Sequence, residues 1–297
     1  SVRGVKRYFC KSCNRSFQNR KRTSKLKELL WNEFVFSHRG YSSLSRQFKL
    51  SVPTIQKYLD SFRPTPKLSK NNKSKLPKSA VIIVDTVYLS GRSFGVMIAR
   101  NANTGKTLDR IYIISETINH FVTLVEKVKA MGILIRAIVV DGRPGMLKAY
   151  SSIPTQMCQF HQIQIVTRYV TTRPKLIAGK QLRRIVLMLT TVKKDMFLKL
   201  LLKWHEKWGD LLKEKTINEE TGRWEYTHRR LRSAYYSLKT NLLYLFTYQE
   251  QQNRHLNIPN TTNSLDGSFA HLKDSLRVHR GLKRSRKIRL IESLIWR

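Results

Sequence analysis

The chain has 297 residues; 57 are Lys or Arg and 19 are Asp or Glu, a formal net charge of +38. With 41% apolar and 10% aromatic residues, wholesale disorder is excluded and a hydrophobic core is within reach. The charge calls for a polyanion, with nucleic acid the first expectation and binding that weakens steeply with salt. No run of about 18 uncharged apolar residues exists to span a bilayer, and three cysteines suit a reducing compartment.

Residues 1–23 carry Tyr8-Phe9-Cys10-Lys11-Ser12-Cys13-Asn14-Arg15-Ser16-Phe17, a zinc-knuckle pattern. Cys10 and Cys13 can chelate one zinc across a tight turn, with Phe9 and Phe17 packed beside it, but a tetrahedral site needs four ligands. The chain starts on Ser1 with no visible signal peptide. The expectation is therefore a partial zinc ribbon whose second Cys pair lies upstream, with zinc bound only if those ligands exist. A chance pair of cysteines is the alternative.

Residues 24–63 read as helices. Leu26, Leu29, Leu30 and Phe34 recur at helical spacing, and two shorter helices follow, joined at Lys49-Leu50-Ser51. Ser51 is a good N-cap and Pro53 is tolerated in the first turn. The pair matches a helix-turn-helix, which places Thr54, Gln56 and Lys57 toward DNA; an ordinary helical hairpin is the competing reading. Residues 64–79, rich in Pro, Lys, Ser and Asn, read as a linker.

From 80 to 161 the character changes. Ala80-Val81-Ile82-Ile83-Val84-Asp85 and Ile138-Val139-Val140-Asp141 are apolar runs that each end in a carboxylate. Three strands in a meander, a helix from Ile118 ended by Gly132, a fourth strand and a short fifth at Thr155 make an α/β mixed sheet. In this order, a ribonuclease H-like arrangement, the first and fourth strands lie adjacent and bring Asp85 and Asp141 together. Two acids held side by side repel unless a divalent cation neutralises them.

Residues 162–255 read as an all-helical insertion, with no strand expected. Trp204, Trp208 and Trp224 lie in it; core packing is the expectation for each, and base stacking against a splayed DNA end the minority one. His120 and His205 read as packing or surface residues. Residues 256–297 return to the core with a last helix over Leu265–Val278. A basic tail follows, in which Arg280, Lys283, Arg284, Arg286, Lys287 and Arg289 are assigned to phosphate contacts.

Four segments in this order carry a resemblance: Val84-Asp85, Val140-Asp141-Gly142, Cys158-Gln159-Phe160-His161, and Asn260-Thr261-Thr262-Asn263-Ser264-Leu265-Asp266 after the helical stretch. Over nearly its whole length the chain resembles Mutator-like (MULE) superfamily DDE transposases, in the bacterial insertion-sequence branch with an N-terminal zinc ribbon. The resemblance implies a metal-dependent site of Asp85, Asp141 and Asp266 holding two Mg²⁺ or Mn²⁺ ions for DNA strand cleavage and transfer. It implies terminal inverted repeats and target DNA as double-stranded partners, a homodimer or larger synaptic assembly, and a bacterial, cytoplasmic, nucleoid-associated setting. Cys158 and His161 are its signature near the site.

The chain departs at the third acid, where the family usually has Glu. Asp266 draws the carboxylate back by about 1.5 Å, one carbon–carbon bond. Asp266 also reads as an acid that stabilises a helix start. Impaired activity is thus one expectation, and a catalytically decayed or domesticated transposase-derived DNA-binding protein is the alternative reading. A ribonuclease H-like nuclease or resolvase is the third.

Overall fold

The computed structural model describes residues 7–18, 21–63, 76–89, 94–279 and 281–296. Most of the expected linker, residues 64–75, lies outside these, as does Arg280. Two compact units form. One joins the chain up to Lys75 with Phe269 onward; the other is Leu76–Ser268.

The larger unit is built on a mixed five-stranded sheet. Strands β3 (Ser79–Tyr88), β4 (Gly95–Asn101), β5 (Thr107–Ile113), β6 (Leu134–Val140) and β7 (Thr155–Met157) stand in the order β5-β4-β3-β6-β7. The first three form an antiparallel meander, while β6 and β7 run parallel to their neighbours. The meander turns at Asn101, whose side chain accepts the N–H groups of Asn103 and Thr104, with Gly105 at φ +67° supplying the left-handed residue. β3 and β6 carry long apolar runs because both are covered on both faces.

Helix α4 (Ile118–Ala130) provides the crossover to β6. Thr117 caps it by accepting the N–H of His120, Gly132 at φ +82° ends it, and Phe121, Leu124, Val125 and Val128 share one buried cluster with Ile82, Val84, Ile138 and Val140. After the short α5 (Pro144–Lys148) and β7, four helices follow: α6 (Gln159–Val170), α7 (Ile177–Leu187), α8 (Lys194–Trp208) and α9 (Arg229–Leu245). Their apolar faces continue the core of the sheet. Buried amides join the two parts: Gln156 and Gln159 donate to the Leu245 carbonyl at the end of α9, and Asn241 donates to Gln162.

This insertion is not wholly helical. Between α8 and α9 the three-residue strands β8 (Lys215–Ile217) and β9 (Trp224–Tyr226) pair as a hairpin, every residue of both exposed. Strands this short carry no readable alternation. Trp204 is buried with its N–H on the Ala178 carbonyl, and Trp208 donates to Gln181, as core residues should. Trp224 departs from that expectation: it lies on the hairpin, 66% exposed.

The smaller unit opens on a hairpin, β1 (Arg7–Phe9) with β2 (Ser16–Gln18). Then come α1 (Lys21–Phe36), α2 (Tyr41–Phe48) and α3 (Val52–Ser61) around Leu30, Trp31, Phe34, Leu44, Ile55 and Leu59. Ser51 caps α3 by accepting the Thr54 N–H at 3.4 Å, and Lys49 takes the left-handed conformation in the turn. The expected basic tail is in fact helix α11 (Arg284–Ile295), packed on α1 and α3: Trp31 donates to Ser293, and Leu290 and Ile291 are buried. Helix α10 (Asn263–Val278) begins in the larger unit and continues in the smaller one. Among the described residues no helix is long and apolar enough to cross a membrane.

Candidate active site

β3 and β6 pair in parallel with Ile83 opposite Val139. Two residues further along each chain, on the same face, stand Asp85 and Asp141 at one level of the sheet. β6 stops at Val140, so at Asp85 the neighbouring strand has just ended while β3 itself runs on to Tyr88. Asp85 is therefore inside its strand, but at the tip of the β3–β6 pairing.

Asp266 enters from the first turn of α10. Its route is fixed by a chain of hydrogen bonds. Cys158 follows β7 and donates its N–H to the Val140 carbonyl at 2.8 Å, next to Asp141. The buried Cys158 thiol accepts the Thr262 N–H at 3.3 Å and the Thr262 hydroxyl at 3.5 Å. Thr262 in turn accepts the N–H groups of Leu265 and Asp266 through its carbonyl. Gln159 donates to the Asn260 carbonyl, and Arg100 of β4 donates to the Ser264 carbonyl at 2.7 Å. The start of α10 is thus tied to both sides of the sheet.

The electrostatics link the same residues. Burial pushes the Asp85 carboxyl up to about 6, and the charges of Asp266 and Asp141 push the same way, against His161 and the Thr86 N–H. His161 is raised to about 9: the Cys158 thiol beside it is the largest cause, and Asp85 and Asp141 add to it. Its Nδ1 is buried, and the contact with the thiol outweighs the pull of the Asp85 and Asp141 charges on the ring. Burial works to raise the Cys158 thiol, but His161 and Thr262 outweigh it and hold it below its ordinary value.

A fourth acid, Glu116, belongs to this cluster and was not expected. It sits between β5 and α4, with a side chain only 9% exposed. Thr86, next to Asp85, donates to it at 2.9 Å; Arg143, two residues after Asp141, pairs with it at 3.0 Å and donates to its carbonyl at 2.8 Å. The Arg143 N–H also binds Asp141 at 3.2 Å. Burial raises the Glu116 carboxyl, Asp141 adds to the rise, and Thr86 and Arg143 oppose it. The available signal was an acid immediately before a helix cap, in Ser115-Glu116-Thr117.

As donors, Asp85, Asp141 and Asp266 suit hard divalent ions, and carboxylates that raise one another's proton affinity are a cluster in need of positive charge. As they stand, no three His, Cys, Asp or Glu side chains among the described residues form a ready metal-holding group. Cys10 and Cys13 share the turn of the β1–β2 hairpin; hydrogen bonds from Ser12, then Cys13, lower the Cys10 thiol to about 7. Phe9, expected beside that turn, is exposed.

The residues assigned to DNA divide. Lys57 is exposed, and Thr54 and Gln56 are half-buried on α3, with the Thr54 hydroxyl on Ser51. Lys283 and Arg284 are exposed and Lys287 is half-buried at the start of α11. Arg286 is a correction: only 8% exposed, it binds both oxygens of Asp60 at 2.8 and 2.6 Å and donates to the Tyr41 hydroxyl. Arg289 likewise donates to the Leu59 and Phe62 carbonyls at the end of α3. These two guanidiniums are occupied within the protein.

No protein-family profile and no curated protein sequence matches the chain. Among solved structures, it is similar to the Drosophila P element transposase strand transfer complex, with a TM-score of 0.44 and 10% sequence identity over 97% of this chain and 94% of that one. A likeness so distant lends no weight to a shared activity.

Proposed function

We propose that the protein is a DNA transposase with a ribonuclease H-like core, which binds the ends of its element and cuts and joins DNA strands. The observation that carries this reading is the level placement of Asp85 and Asp141 on adjacent parallel strands, with the Asp266 charge acting on Asp85. A net charge of +38 supplies the attraction for a duplex. The Mutator-like resemblance of the motifs agrees with it.

In this reading Asp85, Asp141 and Asp266 are the residues that would hold Mg²⁺ or Mn²⁺ ions. Such ions stabilise the charge that develops on the attacking and leaving oxygens of a phosphodiester. The Arg143 side chain pairs with Glu116 while its backbone N–H donates to the Asp141 carboxylate, so in this reading the pair helps to position the second acid. Cys158 keeps the third acid's helix in place. α3 and the exposed cations at the start of α11 provide duplex contacts.

The test is cleavage. Purified protein with Mg²⁺ or Mn²⁺ and a labelled duplex carrying the inverted repeats that flank the gene should give 3′-hydroxyl nicks or joined products, lost in Asp85→Asn and Asp141→Asn. Duplex binding without cleavage, unchanged in Asp85→Ala, would replace this reading with the non-catalytic DNA-binding one.

A further inference from the structure

The hairpin β8–β9 is a poor investment for a monomer. Two strands of three residues, all exposed, gain little from pairing. Yet the hairpin is carefully made. Asn218 accepts the N–H groups of Glu220 and Thr221, Gly222 takes φ +65°, and Arg232 of α9 lies 4.0 Å from the centre of the Tyr226 ring, bracing the base. What this scaffold presents is apolar and acidic. Ile217 and Trp224 are cross-strand partners, 54% and 66% exposed.

Within residues 214–225 Glu214, Glu219, Glu220 and Glu225 outnumber Lys215 and Arg223, with Arg232 the cation at the base. In a chain of net charge +38 this is a local reversal of sign. Among the described residues Glu219, Glu220 and Glu225 form no ion pair. Phosphate would be repelled here; a basic protein surface would be attracted.

The same unit offers such a surface. Between α7 and α8 lies a shallow, open cavity of about 330 Å³, lined by apolar Ile185, Leu200 and Trp204 and by the cations Arg184, Lys203 and Lys207. The three cations are exposed and form no ion pair among the described residues. This apolar and basic lining is complementary to the aromatic tip and acidic flanks of the hairpin. Aromatic side chains seated in such pockets dominate interface energetics.

We infer that the β8–β9 hairpin is a self-association element: Trp224 of one copy enters the α7–α8 cavity of a second copy, with Glu219, Glu220 and Glu225 facing its cations. Reciprocal exchange of the two hairpins makes a closed two-fold pair. A chain this cationic repels its own copies, and an acidic projection is what lets two of them meet. The inference concerns assembly and stands apart from the cleavage reading.

Sedimentation equilibrium of the full chain, free of nucleic acid and over a salt series, tests it. The wild type associates, more weakly as salt rises, and Trp224→Ala, a surface change, loosens the association by at least about tenfold. The double variants Glu219→Lys/Glu220→Lys and Lys203→Glu/Lys207→Glu are each monomeric alone. Mixed in equal amounts they pair, because each then meets opposite charge at both contacts. A wild type that stays monomeric, an association untouched by Trp224→Ala, or a mixture that fails to pair would overturn the inference. So would a Trp224→Ala variant that associates normally but loses duplex affinity, which would make the hairpin a nucleic-acid element.

Discussion

The thiol of Cys158 accepts the backbone N–H of Thr262 across 104 residues of chain, while the Cys158 N–H is bound to Val140, the residue before Asp141. One small side chain thus registers the segment that carries Asp266 against the strand that carries Asp141. A sulfur acceptor suits this place because it is large, weakly polar and tolerates burial.

Cys158→Ala should leave the Thr262 N–H and hydroxyl without their acceptor, at a cost of about 1–3 kcal/mol. Hydrogen exchange provides the sharper readout. Amide protons of Thr262, Leu265 and Asp266 should exchange faster while those of α4 do not change. Uniform acceleration across the unit would mean that Cys158 is only filling space.

Asp85 should trade stability for chemistry. Its carboxyl is raised from 3.8 to about 6, so between these values the folded protein binds more protons than the unfolded chain. Stability therefore falls as pH rises from about 4 to about 6, and the penalty persists above that. Two units correspond to at most about 3 kcal/mol. Asp85→Asn should unfold at higher temperature than the wild type at pH 7, and the difference should vanish near pH 4, while cleavage is abolished. Equal melting curves at both pH values would show that the burial of this charge has no cost.

Glu116 and Arg143 should behave as one unit. Arg143→Ala leaves a nearly buried carboxylate without its partner, whereas Glu116→Gln/Arg143→Ala removes the charge problem as well. A double-mutant cycle by denaturant unfolding should give a coupling of about 1–2 kcal/mol. Additive effects would indicate a solvent-screened pair that does no positioning.

In the smaller unit, hydrogen bonds from Arg286 hold the Asp60 carboxyl below its ordinary 3.8. A depressed carboxyl contributes stability that is present above 3.8 and lost as pH falls through the lower folded value. Asp60→Asn should cost about 1–2 kcal/mol at pH 7, discounted because the carboxylate is half exposed. Nearly all of that difference should disappear in strong acid. Lys283→Ala should act differently: it should leave melting unchanged and reduce the salt dependence of duplex binding by about one counterion. If Lys283→Ala destabilised the fold and left the salt slope intact, the assignment of these cations would be reversed.

Much of the sheet could be read from the chain because its signals are local. Apolar runs bounded by Asn103-Thr104-Gly105-Lys106 and Gly132 mark strands and a helix, and their order places β3 beside β6. Ser51 and Pro53 marked the start of α3 for the same reason. What escaped depends on distant partners. Helix α11 was hidden by its charge: its arginines read as free cations until Asp60, more than two hundred residues away, is seen to occupy them. Glu116 was passed over because Thr86 and Arg143 are its neighbours only in space. The hairpin left no trace, since three exposed residues per strand show no periodicity.

The pairing of Ile83 with Val139 has a consequence for tolerance to length change. Because successive residues of a strand point to opposite faces, adding or removing one residue between Leu134 and Asp141 would turn the second acid toward α4 and leave Asp85 without its neighbour. The loop from Asn218 to Gly222, exposed from Glu219 onward, carries no such constraint. Insertional scanning should therefore find β6 among the least forgiving stretches of the chain, even where its side chains are interchangeable aliphatics.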